Sequence, residues 1–138
     1  MQTFLPYPDF AETARVLDNK RLGKQRVEVL QILKTLTGQS KGWQNHPAVK
    51  MWKGYENGLV EYGKAICREW ISRGFRDTCF EKILQYEKDG GWQTPKWLWQ
   101  NDFVCASHRA ALLAKNPEWY AQFNWSEKPE INYIWPKG

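Results

Sequence analysis

Apolar and polar side chains alternate at helical spacing most clearly in the segment 19–36. One stripe of this segment is apolar and consists of Leu22, Val29, Leu33 and Leu36. The opposite face carries the polar residues Arg21, Lys24, Gln25, Glu28, Gln31 and Thr35. Asp18 or Asn19 is suited to cap such a helix, and Gly38 is suited to close it. The pattern predicts an amphipathic helix that presents Glu28 on its polar face.

Four further segments have the same periodicity. It predicts a short helix over 9–18, a long helix from Pro47 to about residue 73, a short helix over 78–87 and a helix over about 102–115. The long helix contains three glycines, which each cost about 1 kcal/mol relative to alanine. These glycines, at 54, 58 and 63, either allow close helix packing or mark a break.

The remaining segments connect or follow these helices. TPKWLWQ is expected to form a loop or a short extended piece, NPEWYAQF a helical turn, and NWSEKPEINYIWPKG a tail that packs across the surface. We therefore predict an all-α fold, compact and with a single domain over 1–138, with a long central helix and an aromatic C-terminal tail.

Composition adds an indication of the partner. The net charge is +5 and the pI is about 9.1, which favours a polyanionic partner. The chain also has nine tryptophans, which provide buried area but can stack on unpaired bases as well. Together these features indicate that the binding partner is a nucleic acid.

Several other classes of protein lack support. Three widely spaced cysteines fit neither a disulfide framework nor a metal site, so we expect buried, reduced thiols, and we predict no metal and no cofactor. A glycine-rich phosphate loop and a GxSxG motif are both missing from the sequence. An apolar run long enough to span a membrane is missing too, and the first residues do not resemble a signal peptide, so we expect a cytoplasmic protein.

The candidate chemistry centres on Glu28, which is surrounded by cations. It either forms a helical ion pair with Lys24, worth a few tenths of a kcal/mol, or takes part in a site. Other candidates have structural alternatives as well: a helix cap for His46, a solvated face for His108 and Arg109, and core packing for Trp119 and Tyr120. Taken together, two histidines, basic residues and one carboxylate fit a site for a polyanion.

The segments LDNKRLGKQRVE, GWQNHP, SRGF and SHRAALLAKNPEWY, in this order, resemble the pyrimidine dimer DNA glycosylase/endonuclease V family. The resemblance extends from Leu17 to about Tyr120, and it is closest to the broad bacterial and phage members. It implies a compact helical domain that cleaves a glycosylic bond and then performs a lyase step. In this family an N-terminal α-amine attacks the sugar, and a glutamate, matched here by Glu28, supports the iminium intermediate.

Residue 2 differs from the family pattern, in which removal of the initiator methionine exposes a small residue. Gln2 is too large for ordinary removal of Met1, so we expect the Met1 amine to be the nucleophile. An α-amine is a better nucleophile at neutral pH than a lysine, because its reference pKa is about 7.7–8.0. If this amine does not take part, Glu28 would activate a water molecule instead.

The resulting hypothesis is a monomeric DNA glycosylase, with possible AP-lyase activity, that removes a damaged or modified pyrimidine. Two alternatives are a non-catalytic nucleic-acid-binding module and a nucleotide- or RNA-directed hydrolase on the same scaffold. Trp43 or Trp119 would stack on DNA or fill a kink in it. The expected catalytic residues are Glu28 and Met1, and the expected DNA-binding residues are Arg21, Lys24, Arg26, His46, His108, Arg109, Lys115 and Trp119.

Overall fold

The computed structural model describes residues 1–136 and confirms the all-α prediction, since this part of the chain contains helices and no strand. The two longest helices, α2 and α4, cross the middle of the molecule. The α-helices are α1 (Phe10–Val16), α2 (Asn19–Leu36), α3 (Pro47–Lys50), α4 (Glu56–Ser72), α5 (Phe80–Leu84), α6 (Lys96–Trp99), α7 (Phe103–Lys115) and α8 (Pro117–Tyr120), followed by a 3-10 turn at Ala121–Phe123.

The core forms where α4 packs against α1, α2 and α5. Gly63 makes the close approach possible, because a Cβ atom there would lie 2.9 Å from Val29 Cγ1 and 3.0 Å from Ile83 Cδ1. Trp52, Tyr62 and Tyr120 are the largest fully buried side chains of the core. Part of the tryptophan content therefore serves the fold.

The predicted long helix from Pro47 to about residue 73 is wrong, because the segment contains two helices. Gly54 has a φ of 86°, a left-handed conformation that glycine adopts without steric cost, and the chain turns there between α3 and α4. Of the two roles considered for the glycines, Gly54 marks the break and Gly63 allows close packing.

The other helix predictions agree with the structure apart from their ends. The segment predicted as 78–87 forms only α5, and TPKWLWQ contains α6 rather than an extended piece. Gln25 and Thr35, predicted for the polar face of α2, are buried. All three cysteines are buried and free, as predicted.

The first five residues belong to no helix or strand, and Gln2, Thr3, Phe4 and Leu5 are buried. Side chains from three helices bind the backbone of this N-terminal segment. Gln25 of α2 accepts from Phe4 N at 2.9 Å, Tyr62 of α4 donates to Phe4 O at 2.7 Å, and His108 of α7 accepts from Leu5 N at 2.9 Å. The segment is therefore fixed from three sides.

The aromatic tail, which was predicted to pack across the surface, contacts α7. Glu130 N donates to Ala110 O at 3.1 Å, and Ile134 N donates to Ser107 Oγ at 3.0 Å. Tyr133 then packs edge-on against Phe4 of the N-terminal segment. Across the described part of the chain, no helix combines the length and the apolar character needed to cross a membrane.

Candidate active site

A cavity of about 290 Å³ lies where the N-terminal segment meets the polar face of α2. One wall is the beginning of the chain, the second is α2, and the third combines the end of α7 with the tail. The lining residues are Met1, Gln2, Phe4, Lys20, Arg21, Lys24, Gln25, Glu28, Lys115 and Tyr133. We call this cavity the site pocket.

Glu28 is the only acidic residue of the site pocket among the residues described. Its Oε2 atom accepts a hydrogen bond from Gln2 N at 3.2 Å and another from Gln25 Nε2 at 3.0 Å. Within residues 1–136, the salt bridges do not include the pair with Lys24 considered above. The carboxylate is therefore held by the N-terminal segment and by its neighbour on α2.

The bond between Gln2 N and Glu28 also limits how far the Met1 nitrogen can lie from the carboxylate. Three backbone bonds with a total length of about 4.3 Å join the Met1 and Gln2 nitrogens. The Met1 nitrogen therefore lies no more than about 7.5 Å from Glu28 Oε2. An α-amine and a carboxylate thus share one small pocket.

Four cations surround this pair. Lys20, Lys24 and Lys115 are exposed, and within residues 1–136 no carboxylate lies within salt-bridge distance of them. Arg21 is largely covered and binds Asp18 at 3.2 Å. The three lysines therefore offer charge to a polyanion, whereas Arg21 already has a partner.

His46 lies close enough to the site pocket to respond to its charges. Its Nδ1 atom accepts from Ala48 N at 3.0 Å, so it caps α3. Burial lowers the pKa of His46, the positive Met1 amine lowers it further, and Glu28 opposes both effects. The imidazole is therefore biased towards its neutral form beside the pocket.

Arg26 and Arg109, both predicted to bind DNA, form ion pairs within the protein. Arg26 binds Asp77 at 2.7 Å and lies 4.4 Å from the centre of the Trp70 ring. Arg109 binds Glu127 at 3.0 Å, pairs with Asp102 and donates to Pro6 O at 2.8 Å. Both guanidiniums therefore hold parts of the fold together, and their binding to phosphates stays a prediction.

His108 and Trp119 are also placed differently from the prediction. His108 is fully buried, and burial lowers its pKa to about 3, so the ring is neutral and has no surface to offer a phosphate. Trp119 packs against the core, and its Nε1 donates to Val16 O at 2.7 Å. The core-packing alternative fits Trp119, whereas the solvated-face alternative for His108 is wrong.

The site pocket thus brings together Met1, Glu28, Arg21, Lys24 and Lys115 from the predicted set. His46 lies beside it, whereas the contacts of Arg26, His108, Arg109 and Trp119 are with the scaffold.

Sequence reasoning did not assign roles here to Gln25 or Tyr133. Gln25 is buried and joins Glu28 to the N-terminal segment, because its Nε2 also donates to Gln2 O at 2.9 Å. The sequence did contain an indication that Gln25 could contact Glu28. Gln25 lies three residues before Glu28, and residues at this spacing are neighbours on a helix. Tyr133 reaches the pocket through the path of the tail, for which the sequence contains no periodic pattern.

An all-helical fold with a cationic pocket that holds one carboxylate beside an α-amine is compatible with a polyanionic substrate. Within residues 1–136, His, Cys, Asp and Glu side chains form no group of three that could hold a metal ion. A family model described as pyrimidine dimer DNA glycosylase matches residues 1–83, which is more than half of the chain. The chain therefore belongs to the pyrimidine dimer DNA glycosylase family, and this membership implies a glycosylase-type role with DNA as substrate. No curated protein and no solved structure matches the chain.

The matched region contains Met1, Glu28 and His46, as well as the lysines on α2. The SHRAALLAKNPEWY segment and the tail lie outside it, so Lys115 and Tyr133 enter the pocket from parts of the chain that the family model does not cover.

Proposed function

We propose that this protein is a DNA glycosylase with AP-lyase activity that removes a damaged or modified pyrimidine. In this proposal the Met1 α-amine is the nucleophile and Glu28 is its acid–base partner. The observation that carries the proposal is the 3.2 Å bond from Gln2 N to Glu28 Oε2, which brings the amine and the carboxylate into one pocket. Two groups that act on one sugar carbon must lie this close together.

The proposed reaction begins with attack of the neutral amine on C1′ of the target nucleotide. The bond from C1′ to the base breaks, and the base leaves with its electron pair and takes up a proton. The proton taken up by the base comes from the attacking nitrogen. Glu28, protonated at this stage, then donates its proton to O4′ as the sugar ring opens, and the resulting carboxylate stabilises the positive charge of the iminium ion. Glu28 next accepts a proton from C2′ while the 3′ phosphate leaves, and hydrolysis of the imine returns the amine.

The surrounding lysines supply the binding that this chemistry requires. Because C1′ is hard to reach in a duplex, the target nucleotide would be extruded, at a cost of a few kcal/mol. Phosphate contacts from Lys20, Lys24 and Lys115 would offset this cost and hold the strand across the pocket. Glu28 is then the one anion required in a cationic site.

Borohydride trapping tests the proposal, because the reduction makes an iminium link permanent. Duplexes with a thymine dimer, with an abasic site and without damage are incubated with the protein and borohydride. The wild type should form a covalent adduct on the first two, and peptide mass should locate it at the Met1 nitrogen. Acetylation of Met1, or two residues added before it, should abolish the adduct while DNA binding remains.

A variant of Glu28 and a control variant test the role of this carboxylate separately from that of the Met1 amine. Glu28→Gln retains an oxygen that can accept from Gln2 N and Gln25 Nε2, so the fold should persist while base release falls at least about 100-fold. Glu12→Gln, at an exposed position on α1, changes the charge equally and should act like the wild type.

The outcomes distinguish the alternatives. Base release that persists after acetylation and requires Glu28 would contradict the amine mechanism and favour a water molecule activated by Glu28. Binding without base release on any damaged duplex would favour a non-catalytic module.

A further inference from the structure

Four aromatic rings form a continuous row beside the site pocket. The ring centroids of Trp43 and His46 lie 5.8 Å apart, those of His46 and Trp135 lie 6.0 Å apart, and those of Trp135 and Tyr133 lie 5.8 Å apart. Tyr133 lines the site pocket itself. We call these four residues the aromatic row; it begins at the pocket and ends at Trp43.

Trp43 is placed in a way that the stability of the fold does not explain. The residue is 63% exposed, and its φ of 66° lies in the left-handed region, which is disfavoured for a residue with a Cβ atom. Such strained residues are concentrated at sites that contact ligands. An exposed tryptophan in a disfavoured conformation contributes little to the core, so a contact with a partner is the more economical explanation.

The loop that carries Trp43 is held on both sides. Thr35 Oγ1 of α2 donates to Gly42 O at 3.2 Å, and His46 N donates to Trp43 O at 2.9 Å. The indole is therefore presented from an anchored turn rather than from a free loop. An aromatic surface fixed in advance loses little conformational freedom when it binds.

The charges around the pocket indicate what the row would contact. Lys20, Lys24 and Lys115 supply positive charge to the pocket that is unpaired within residues 1–136, and they would hold the phosphates of a strand. In the aromatic row the rings pack edge to face; Trp43 is exposed and the other three are half-buried, so the row offers a base mainly the ring of Trp43 and the uncovered parts of the others. A strand that crosses the pocket carries both kinds of group at every nucleotide. A cationic surface beside aromatic rings fits an unpaired nucleic-acid strand better than it fits an apolar partner.

We propose that the aromatic row is a stacking surface for unpaired bases of the DNA strand whose target sugar lies at Glu28, with Trp43 as its outermost contact. This inference rests on the proposed function, because it takes DNA as the substrate. Tyr133 and Trp135 belong to the tail, so a part of the chain beyond the family match would complete the binding site.

The test compares two single strands that have the same phosphates and differ in their bases. One is an oligothymidylate, and the other is a strand of equal length in which abasic spacers replace every nucleoside. The wild type should bind the thymidine strand about fivefold or more tighter, since stacking of a single base has at least this effect. Trp43→Ala should lose most of this preference, and Trp43→Phe, which keeps a ring, should retain most of it.

The spacer strand and a second tryptophan serve as controls. Affinity for the spacer strand and its dependence on salt should be the same in all variants, which also shows that Trp43→Ala is folded. Trp99→Ala removes an indole of similar exposure, 58%, from α6, and it should keep the wild-type preference.

Equal affinity of the wild type for both strands would overturn the inference, and so would a Trp43→Ala variant that keeps the preference. Salt-dependent binding that remains in either case would leave the proposed function standing. Failure to bind either single strand at low salt would also overturn the inference, whereas the proposed function is tested separately on the damaged duplexes.

Discussion

His108 illustrates how a buried side chain can serve the site without touching a substrate. Its Nδ1 atom accepts from Leu5 N at 2.9 Å, so α7 holds the N-terminal segment that carries Met1. The ring also packs edge-on against Phe4 and Tyr133, one from the N-terminal segment and one from the tail. A neutral imidazole is required for this contact, because a protonated Nδ1 has no lone pair to accept with.

We therefore predict that acid destabilises the protein partly through His108. Burial lowers the pKa of this residue to about 3, whereas a histidine in an unfolded chain titrates near 6.5. Between these values the unfolded state binds a proton that the folded state does not bind. The free energy of unfolding should therefore fall as the pH decreases from about 6.5 to about 3, by up to about 1.4 kcal/mol per pH unit from this group.

Denaturant unfolding of the wild type and of His108→Gln across this pH range measures the effect. Glutamine retains an acceptor for Leu5 N but cannot take up a proton, so the variant should have a smaller slope. The slope that remains reports other groups, among them His46, whose pKa is also lowered by burial. Identical slopes in both proteins would show that His108 does not couple protonation to stability.

At the scale of whole helices, the packing of α4 against α2 and α5 sets the geometry of the polar face that carries Glu28. We predict that Gly63→Ala destabilises the protein by about 1–2 kcal/mol. The new methyl group would overlap Val29 and Ile83 at 2.9 and 3.0 Å, a cost that exceeds the gain in helix propensity of about 1 kcal/mol.

Equilibrium unfolding measures this change, and Gly42→Ala is the matched control. The nearest side-chain atom to a Cβ atom at Gly42 is Ser40 Oγ at 4.0 Å, so its effect should stay within about 0.5 kcal/mol. A Gly63→Ala variant as stable as the wild type would mean that α2 and α5 can move apart without loss.

The helices could be predicted from the sequence because their periodicity is local, and Gly38, which follows α2 with a φ of 80°, closes that helix as expected. The path of the N-terminal segment could not be predicted, because its partners are distant in sequence. Leu5 and His108 are 103 residues apart, and Phe4 and Tyr62 are 58 residues apart. Glu28 and Met1 were therefore identified through the family resemblance, whereas the roles of Gln25 and Tyr133 required the fold.

Two further residues of the motifs, which were not assigned to DNA, also hold the fold together. Arg73 of the SRGF motif donates to Leu17 O at 2.8 Å and to Ala14 O at 3.1 Å, which ties the end of α4 to the connection between α1 and α2. Tyr120 of the last motif donates to Asp18 at the start of α2. Basic and aromatic residues can thus serve the scaffold as well as a ligand, and their sequence does not distinguish the two uses.

At the scale of the whole molecule, the net charge of +5 is less informative than its distribution. Arg26, Arg73 and Arg109 pair with carboxylates of the scaffold, whereas the lysines of the site pocket do not pair with any within the described residues. If the pocket holds DNA, these lysines should account for most of the salt dependence of the DNA affinity, because each phosphate contact releases counterions.

We predict that replacing Lys20, Lys24 and Lys115 together by glutamine lowers the slope of log affinity against log salt by roughly 3, since each lost phosphate contact contributes about 0.9 for duplex DNA. The control replaces Lys34, Lys82 and Lys88, which line a separate cavity of about 500 Å³ between α2 and the end of α5. Both triple variants remove three positive charges from the same net charge of +5, so they differ only in position. Binding titrations over a range of salt concentrations should show a slope that changes by less than about 1 in the control. Equal losses in the two variants would mean that overall charge, rather than the site pocket, attracts DNA.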